Sequence, residues 1–197
     1  MPAAIPALLL ALSFHEYAHA RVATLLGDPT PQRQGRLTLN PIAHLDPLGT
    51  LLLVVAGFGW AKPVEINPFY FRSHRRQAVA LVGVAGPAMN LAVGYLAAVA
   101  LVALDSGGYL FRLLYWLLLY NTLLAVFNFL PVPPLDGSKV LAGVLPYNLS
   151  RFVYQMESYG PFVLLVLVAT GAIRRVLYPL VEALIRVFLH TAGTTVF

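Results

Sequence analysis

His15-Glu16-Tyr17-Ala18-His19 lies inside an apolar run from Ala3 to Leu26 that is interrupted only by Pro6, Ser13, Arg21, Thr24 and the motif itself. On a helix, two histidines four residues apart sit about 40° from each other around the axis and one turn apart along it, so both imidazoles face one way. That spacing lets two ring nitrogens reach one zinc ion at about 2.0–2.1 Å. Glu16 follows the first histidine and is placed to act as general base on a water at the metal. Three ionisable side chains in so apolar a helix are costly within a membrane unless they have a function.

The composition puts that helix in a bilayer. The chain is 59% hydrophobic and 11% charged, with mean hydropathy +0.75. A soluble domain usually carries about 25% charged residues, so there is too little polar surface here to cover a water-soluble globule. The sequence reads as an all-α polytopic membrane protein, one domain over residues 1–197. With no cysteine, disulfides, a Cys-type zinc site and a thiol nucleophile are excluded. The net charge of +5 sets topology in such a chain and does not indicate nucleic-acid binding. The apolar N-terminus lacks a basic leader region and contains the metal motif, so it is read as retained rather than cleaved.

Working outward, the first span covers residues 3–26 and stops at Gly27-Asp28-Pro29. Residues 30–77 form a basic, turn-rich segment. Within it Gly35–Pro41 alternates like a short strand ending in a turn. Leu48–Phe58 is strongly apolar but too short to span as a helix. A re-entrant or β-like membrane-associated element is therefore expected at about residues 35–60. It serves either as an edge that pairs with an unwound substrate or as a covering loop. The second span covers residues 77–104, with a small-residue face from Gly83, Gly86, Ala88 and Gly94. Asn90 within it reads as an interhelical hydrogen-bond anchor rather than a participant in chemistry.

The third span covers residues 109–130 and runs into Asn128-Phe129-Leu130-Pro131-Val132-Pro133-Pro134-Leu135-Asp136-Gly137. A helix cannot continue through this proline cluster. Asp136 at the break is either the third zinc ligand or the N-cap of the next helix, and the metal's need for a third protein ligand favours the first. Amphipathic surface helices are expected over 137–158. A fourth span, making about four in all, is expected over residues 160–175 or longer. Beyond Arg174-Arg175 either a kinked helix runs on or an interfacial helix follows. Glu182 and His190 read as residues of a solvated helix face rather than rival ligands.

The basic segment 27–77 places that loop in the cytoplasm. Span one then enters from outside, and span three returns to end at Asp136. His15, His19 and Asp136 fall at one depth, in the cytoplasmic half of what is expected to be the cell membrane.

These residues resemble the site-2 protease family, the intramembrane zinc metalloproteases. The resemblance rests on His15-Glu16-Tyr17-Ala18-His19 and Asn128…Pro131…Leu135-Asp136-Gly137, with Gly86-Pro87-Ala88-Met89-Asn90 between them in the expected order. It implies one Zn2+ per chain ligated by His15, His19 and Asp136. It also implies water activation by Glu16 and a hold on the scissile carbonyl or its oxyanion by Asn128, and it aligns residues 35–60 with the family's membrane-associated β element. The PDZ and CBS domains of larger relatives are not recognised in these residues, so the chain resembles a minimal core. The implied partners are a transmembrane protein substrate and membrane lipid, with no nucleic acid. The implied reaction is regulated intramembrane proteolysis. The alternative is a non-proteolytic metal transporter or sensor using the same ligands, which would have no need of Glu16.

Overall fold

The computed structural model describes residues 2–49, 51, 61–72, 74–104 and 107–193. Three long helices are built from the apolar runs of the sequence. They are α1 (Ala4–Leu25), α3 (Arg75–Ala103) and α4 (Tyr109–Asn128). Short helices occupy the connections: α2 (Thr30–Arg33), α5 (Asp136–Val144), α6 (Tyr147–Gln155) and α7 (Gly160–Ala169). The last described helix is α8 (Ala172–Thr191).

The interior inverts the pattern of a soluble protein. Asn90, Asn121 and Thr122 are fully buried, while Leu110, Phe162, Leu165 and Val187 are exposed. In lipid the outer face gains nothing by being polar, and polar groups must find partners inside. Alanines on α1 (Ala7, Ala11, Ala18, Ala20 and Ala23) are buried. Their small side chains let α3 and α4 approach the α1 backbone closely.

The centre of the bundle is α3, which packs against α1, α4, α5 and α8. Among the described residues two apolar clusters fix it, and a third ties α4 to α8. Ala23, Phe71, Ala78, Val79 and Val82 join the end of α1 and the preceding loop to the start of α3. Ala97, Ala98, Leu101 and Leu118 join α3 to α4, with Phe188 and Leu189 of α8 against them. Val126, Leu177 and Val181 join the other end of α4 to α8. Thus α8 runs back along α4.

Among the described residues three helical stretches are long and apolar enough to cross a membrane: Arg75–Ala103, Tyr109–Asn128 and Tyr147–Ala169. The third combines α6, a 3-10 turn at Met156–Tyr159 and α7, so the apolar stretch begins well before Pro161. At 22 residues, α1 has the length to span about 30 Å, but its own His15, Glu16, His19 and Arg21 lower its hydropathy. The chain breaks at Gly171, whose φ of 70° suits a residue without a side chain. It then restarts as α8, which packs on the bundle.

Gly35–Pro41 is not a strand. Thr38 and Asn40 turn their side chains onto nearby backbone N–H groups, and Asn40 caps a 3-10 helix at Pro41–His44. Among the described residues β pairing is confined to one isolated antiparallel bridge, Leu45 with Ala61. Of the element expected over residues 35–60, residues 50 and 52–60 lie outside the described residues.

Candidate metal centre

Helix α1 delivers both imidazoles to one face, and both are buried. Opposite them α3 is thinned to Gly86, where a single added methyl would overlap both rings. The next residue, Pro87, has no N–H and interrupts the α3 ladder. Beside that interruption the Val82 carbonyl accepts from His19 Nδ1 at 2.7 Å. The prolines after Asn128 end α4 and bring Asp136 round as the first residue of α5. Leu135, not Asp136, occupies the N-cap position. The Asp136 carboxylate is therefore free of capping and turns to the histidines. Gly137 fits there because a side chain would meet the Phe129 and Leu130 carbonyls.

The three donors converge. His15 Nε2 lies 3.0 Å from His19 Nε2. Asp136 Oδ2 lies 3.1 Å from His15 Nε2 and 3.0 Å from His19 Nε2. Among the described residues this is the cluster of three such groups able to hold a metal ion.

The partners on the far sides decide what these atoms offer. His19 Nδ1 faces a carbonyl, which only accepts, so Nδ1 carries the hydrogen. His15 Nδ1 donates to Asn90 Oδ1 at 2.6 Å. Both Nε2 atoms of the neutral rings therefore present lone pairs. Lys139 Nζ holds the other carboxylate oxygen, Asp136 Oδ1, at 3.1 Å, leaving Oδ2 to face the rings. These three atoms lie about 3 Å apart around one point, where a divalent cation would be shared by all three. Tetrahedral ligands at about 2.0–2.1 Å lie about 3.3–3.4 Å apart, so the donor set fits zinc with little expansion.

Glu16 is buried beside this cluster in sequence, and its Oε2 accepts from the Val64 N–H at 3.0 Å. Val64 sits in a segment held by Arg36, a buried residue whose guanidinium donates to the carbonyls of Ala43 and Lys62. The Lys62 N–H in turn donates to the His44 carbonyl at 2.9 Å. Asn128 takes no part in the hydrogen bonds of His15, His19 and Asp136, its amide donating to the Leu124 carbonyl at 3.0 Å. Glu182 pairs with Arg186 on the exposed side of α8, and His190 is exposed near its end.

The sequence model of Peptidase family M50 matches residues 103–169, the stretch that carries α4, the proline break and Asp136. The protein named "Putative zinc metalloprotease YwhC" of Bacillus subtilis (strain 168) is 41% identical over 193 residues, covering 93% of this chain and 87% of that protein. The chain belongs to peptidase family M50. As a member of this family, the site-2 protease family, it is a zinc metalloprotease and a membrane protein. "Putative zinc metalloprotease Rip2" of Mycolicibacterium smegmatis is 29% identical over 184 residues, covering 88% of this chain and 69% of that protein. "Putative zinc metalloprotease MJ0611" of Methanocaldococcus jannaschii is 33% identical over 134 residues, covering 65% of this chain and 63% of that protein. No solved structure matches the chain.

Sequence reasoning placed Asn90 as a helix anchor, and it is also a direct partner of His15. It missed Asn121, Val64 and Lys139. An amide in the middle of an apolar helix was a signal for Asn121, and Lys139 sits three residues after Asp136, one helical turn on. Nothing in the sequence pointed to the Val64 N–H.

Proposed function

We propose that this M50 peptidase is a single-domain intramembrane endopeptidase. It hydrolyses a peptide bond within or next to a transmembrane helix of a membrane-protein substrate, with its site toward the cytoplasmic side of the cell membrane. The observation that carries this reading is the convergence of His15, His19 and Asp136 in the interior of an apolar bundle, with Glu16 next to the first ligand. The basic loop between α1 and α3 supports the orientation.

His15, His19 and Asp136 would hold the zinc. A zinc ion there supplies Lewis-acid activation of water and of the scissile carbonyl. Glu16 takes the proton from the attacking water and returns it to the leaving amine. The Val64 N–H anchors one carboxylate oxygen, which leaves the other to handle the proton. Asn128 donates to the oxyanion after rotating its amide away from Leu124, an effect typically worth about 3–4 kcal/mol for one donor. The substrate helix must unwind before its amide is reachable, so helix breakers in the substrate span favour cleavage. A site that only carried or sensed metal would have no use for the anchored Glu16.

The test uses detergent-purified protein on a panel of single-span substrates, with and without a chelator. Cleavage inside or beside the span that stops with chelator and in Glu16→Gln supports the reading. Cleavage confined to soluble segments, or unaffected by Glu16→Gln, contradicts it.

A further inference from the structure

Two asparagines outside the ligand set are buried on the path into His15. Asn121 lies in the middle of α4 and Asn90 in α3, both fully buried. The Asn121 Nδ2 donates to the Leu117 carbonyl of its own helix at 2.8 Å. That direction turns Asn121 Oδ1 toward Asn90. The Asn90 Nδ2 donates to Asn121 Oδ1 at 2.7 Å and to the Ala11 carbonyl of α1 at 3.1 Å. With its amino side fully used, Asn90 can offer His15 Nδ1 only its oxygen.

A reversed Asn90 would set its oxygen against both the Ala11 carbonyl and Asn121 Oδ1. It would also set its amino group against His15 Nδ1, which moves the ring hydrogen to Nε2, where the metal needs a lone pair. His19 faces no such choice, because its Nδ1 partner is the Val82 carbonyl and a carbonyl cannot turn round.

We propose that Asn121 and Asn90 form a polarity relay that fixes His15 in its Nδ1–H tautomer and so reserves its Nε2 lone pair for the metal. Both are positioning residues, acting on the metal through His15, and the proposal rests on His15, His19 and Asp136 being the ligands. Groups that orient metal-ligating histidines typically change metal affinity by 10–100-fold when removed.

The experiment is a double-mutant cycle on the full-length protein, read as zinc affinity by chelator competition at fixed pH. Asn90→Leu lowers affinity by about 10–100-fold, and Asn121→Leu lowers it less. The double variant matches Asn90→Leu alone, since Asn121 acts only through Asn90. Asn90→Asp keeps an acceptor for His15 but sets its second oxygen against the Ala11 carbonyl and Asn121 Oδ1, so it recovers only part of the affinity that Asn90→Leu loses. In zinc-free protein, the imidazole 15N shifts of His15 move from the Nδ1–H toward the Nε2–H pattern in Asn121→Leu. Because the leucine variants can lose structure, circular dichroism of the zinc-free forms accompanies each titration, and the aspartate variant carries the test where they do.

The relay is overturned if Asn121→Leu leaves both affinity and 15N shifts unchanged, or if its loss persists in full on top of Asn90→Leu. If the parent binds no zinc, or His15→Ala binds it equally well, the ligand assignment itself fails and the relay falls with it.

Discussion

The Val64 backbone N–H donates to Glu16 Oε2 at 3.0 Å, joining the loop between α1 and α3 to the residue next to His15. This contact ties the position of Glu16, the general base of the proposed mechanism, to a piece of backbone 48 residues away. Hydrogen bonds to charged groups are worth about 1.5–3 kcal/mol, which corresponds to roughly ten- to a hundredfold in rate if the orientation is lost. Val64→Pro removes the donor. The expected outcome is a kcat lower by about that factor with zinc content unchanged, measured by single-turnover cleavage and metal analysis. An unchanged kcat would mean that Glu16 is held by other means.

Arg36 braces the same segment through the Ala43 and Lys62 carbonyls. Arg36→Met therefore lowers kcat in the same direction as Val64→Pro and again spares zinc. Arg36→Lys restores little, because one ammonium does not reproduce two parallel guanidinium donors. Kinetics of the three variants beside the parent check this.

Glu16→Gln removes the proton acceptor and leaves His15, His19 and Asp136 in place. It retains a stoichiometric zinc ion and loses cleavage by at least about 100-fold, in line with what a positioned general base contributes. Metal analysis and an end-point cleavage assay on the same preparation decide it.

Gly86 faces both imidazoles, whereas Gly94, two turns along α3, would meet only ordinary contacts at 3.4–3.6 Å if it carried a methyl. Gly86→Ala should lower zinc affinity by tenfold or more, since the rings must shift. Gly94→Ala should leave it within about twofold. The two titrations are made side by side, with thermal melts to register any general loss of packing.

Zinc binding to the folded site raises stability by about 1.4 kcal/mol for each tenfold excess over Kd. The melting temperature of the parent should therefore climb with added zinc, while those of His15→Ala and Asp136→Ala stay flat. Parallel curves for all three would place the bound zinc elsewhere.

The spans and the metal motif were legible because they depend on local properties. Apolar length marks α3 and α4, and a spacing of four residues puts His15 and His19 on one face. Asp136 was legible because prolines end α4 just before it. Hydrogen-bond direction was not legible. That Asn121 points at Asn90, and Val64 at Glu16, depends on how helices distant in sequence come to pack. The alternation in Gly35–Pro41 misled because Thr38 and Asn40 bind their own backbone instead of joining a ladder. The end of the chain depended on Gly171, whose left-handed turn ends α7 and sends α8 back along α4.

Zinc K-edge X-ray absorption on the purified protein tests the central claim most directly. The account predicts a light-atom shell near 2.0–2.1 Å with the multiple-scattering signature of two imidazoles, falling to one imidazole in His15→Ala. A spectrum without histidine ligation, or one that His15→Ala and His19→Ala leave unchanged, would contradict it.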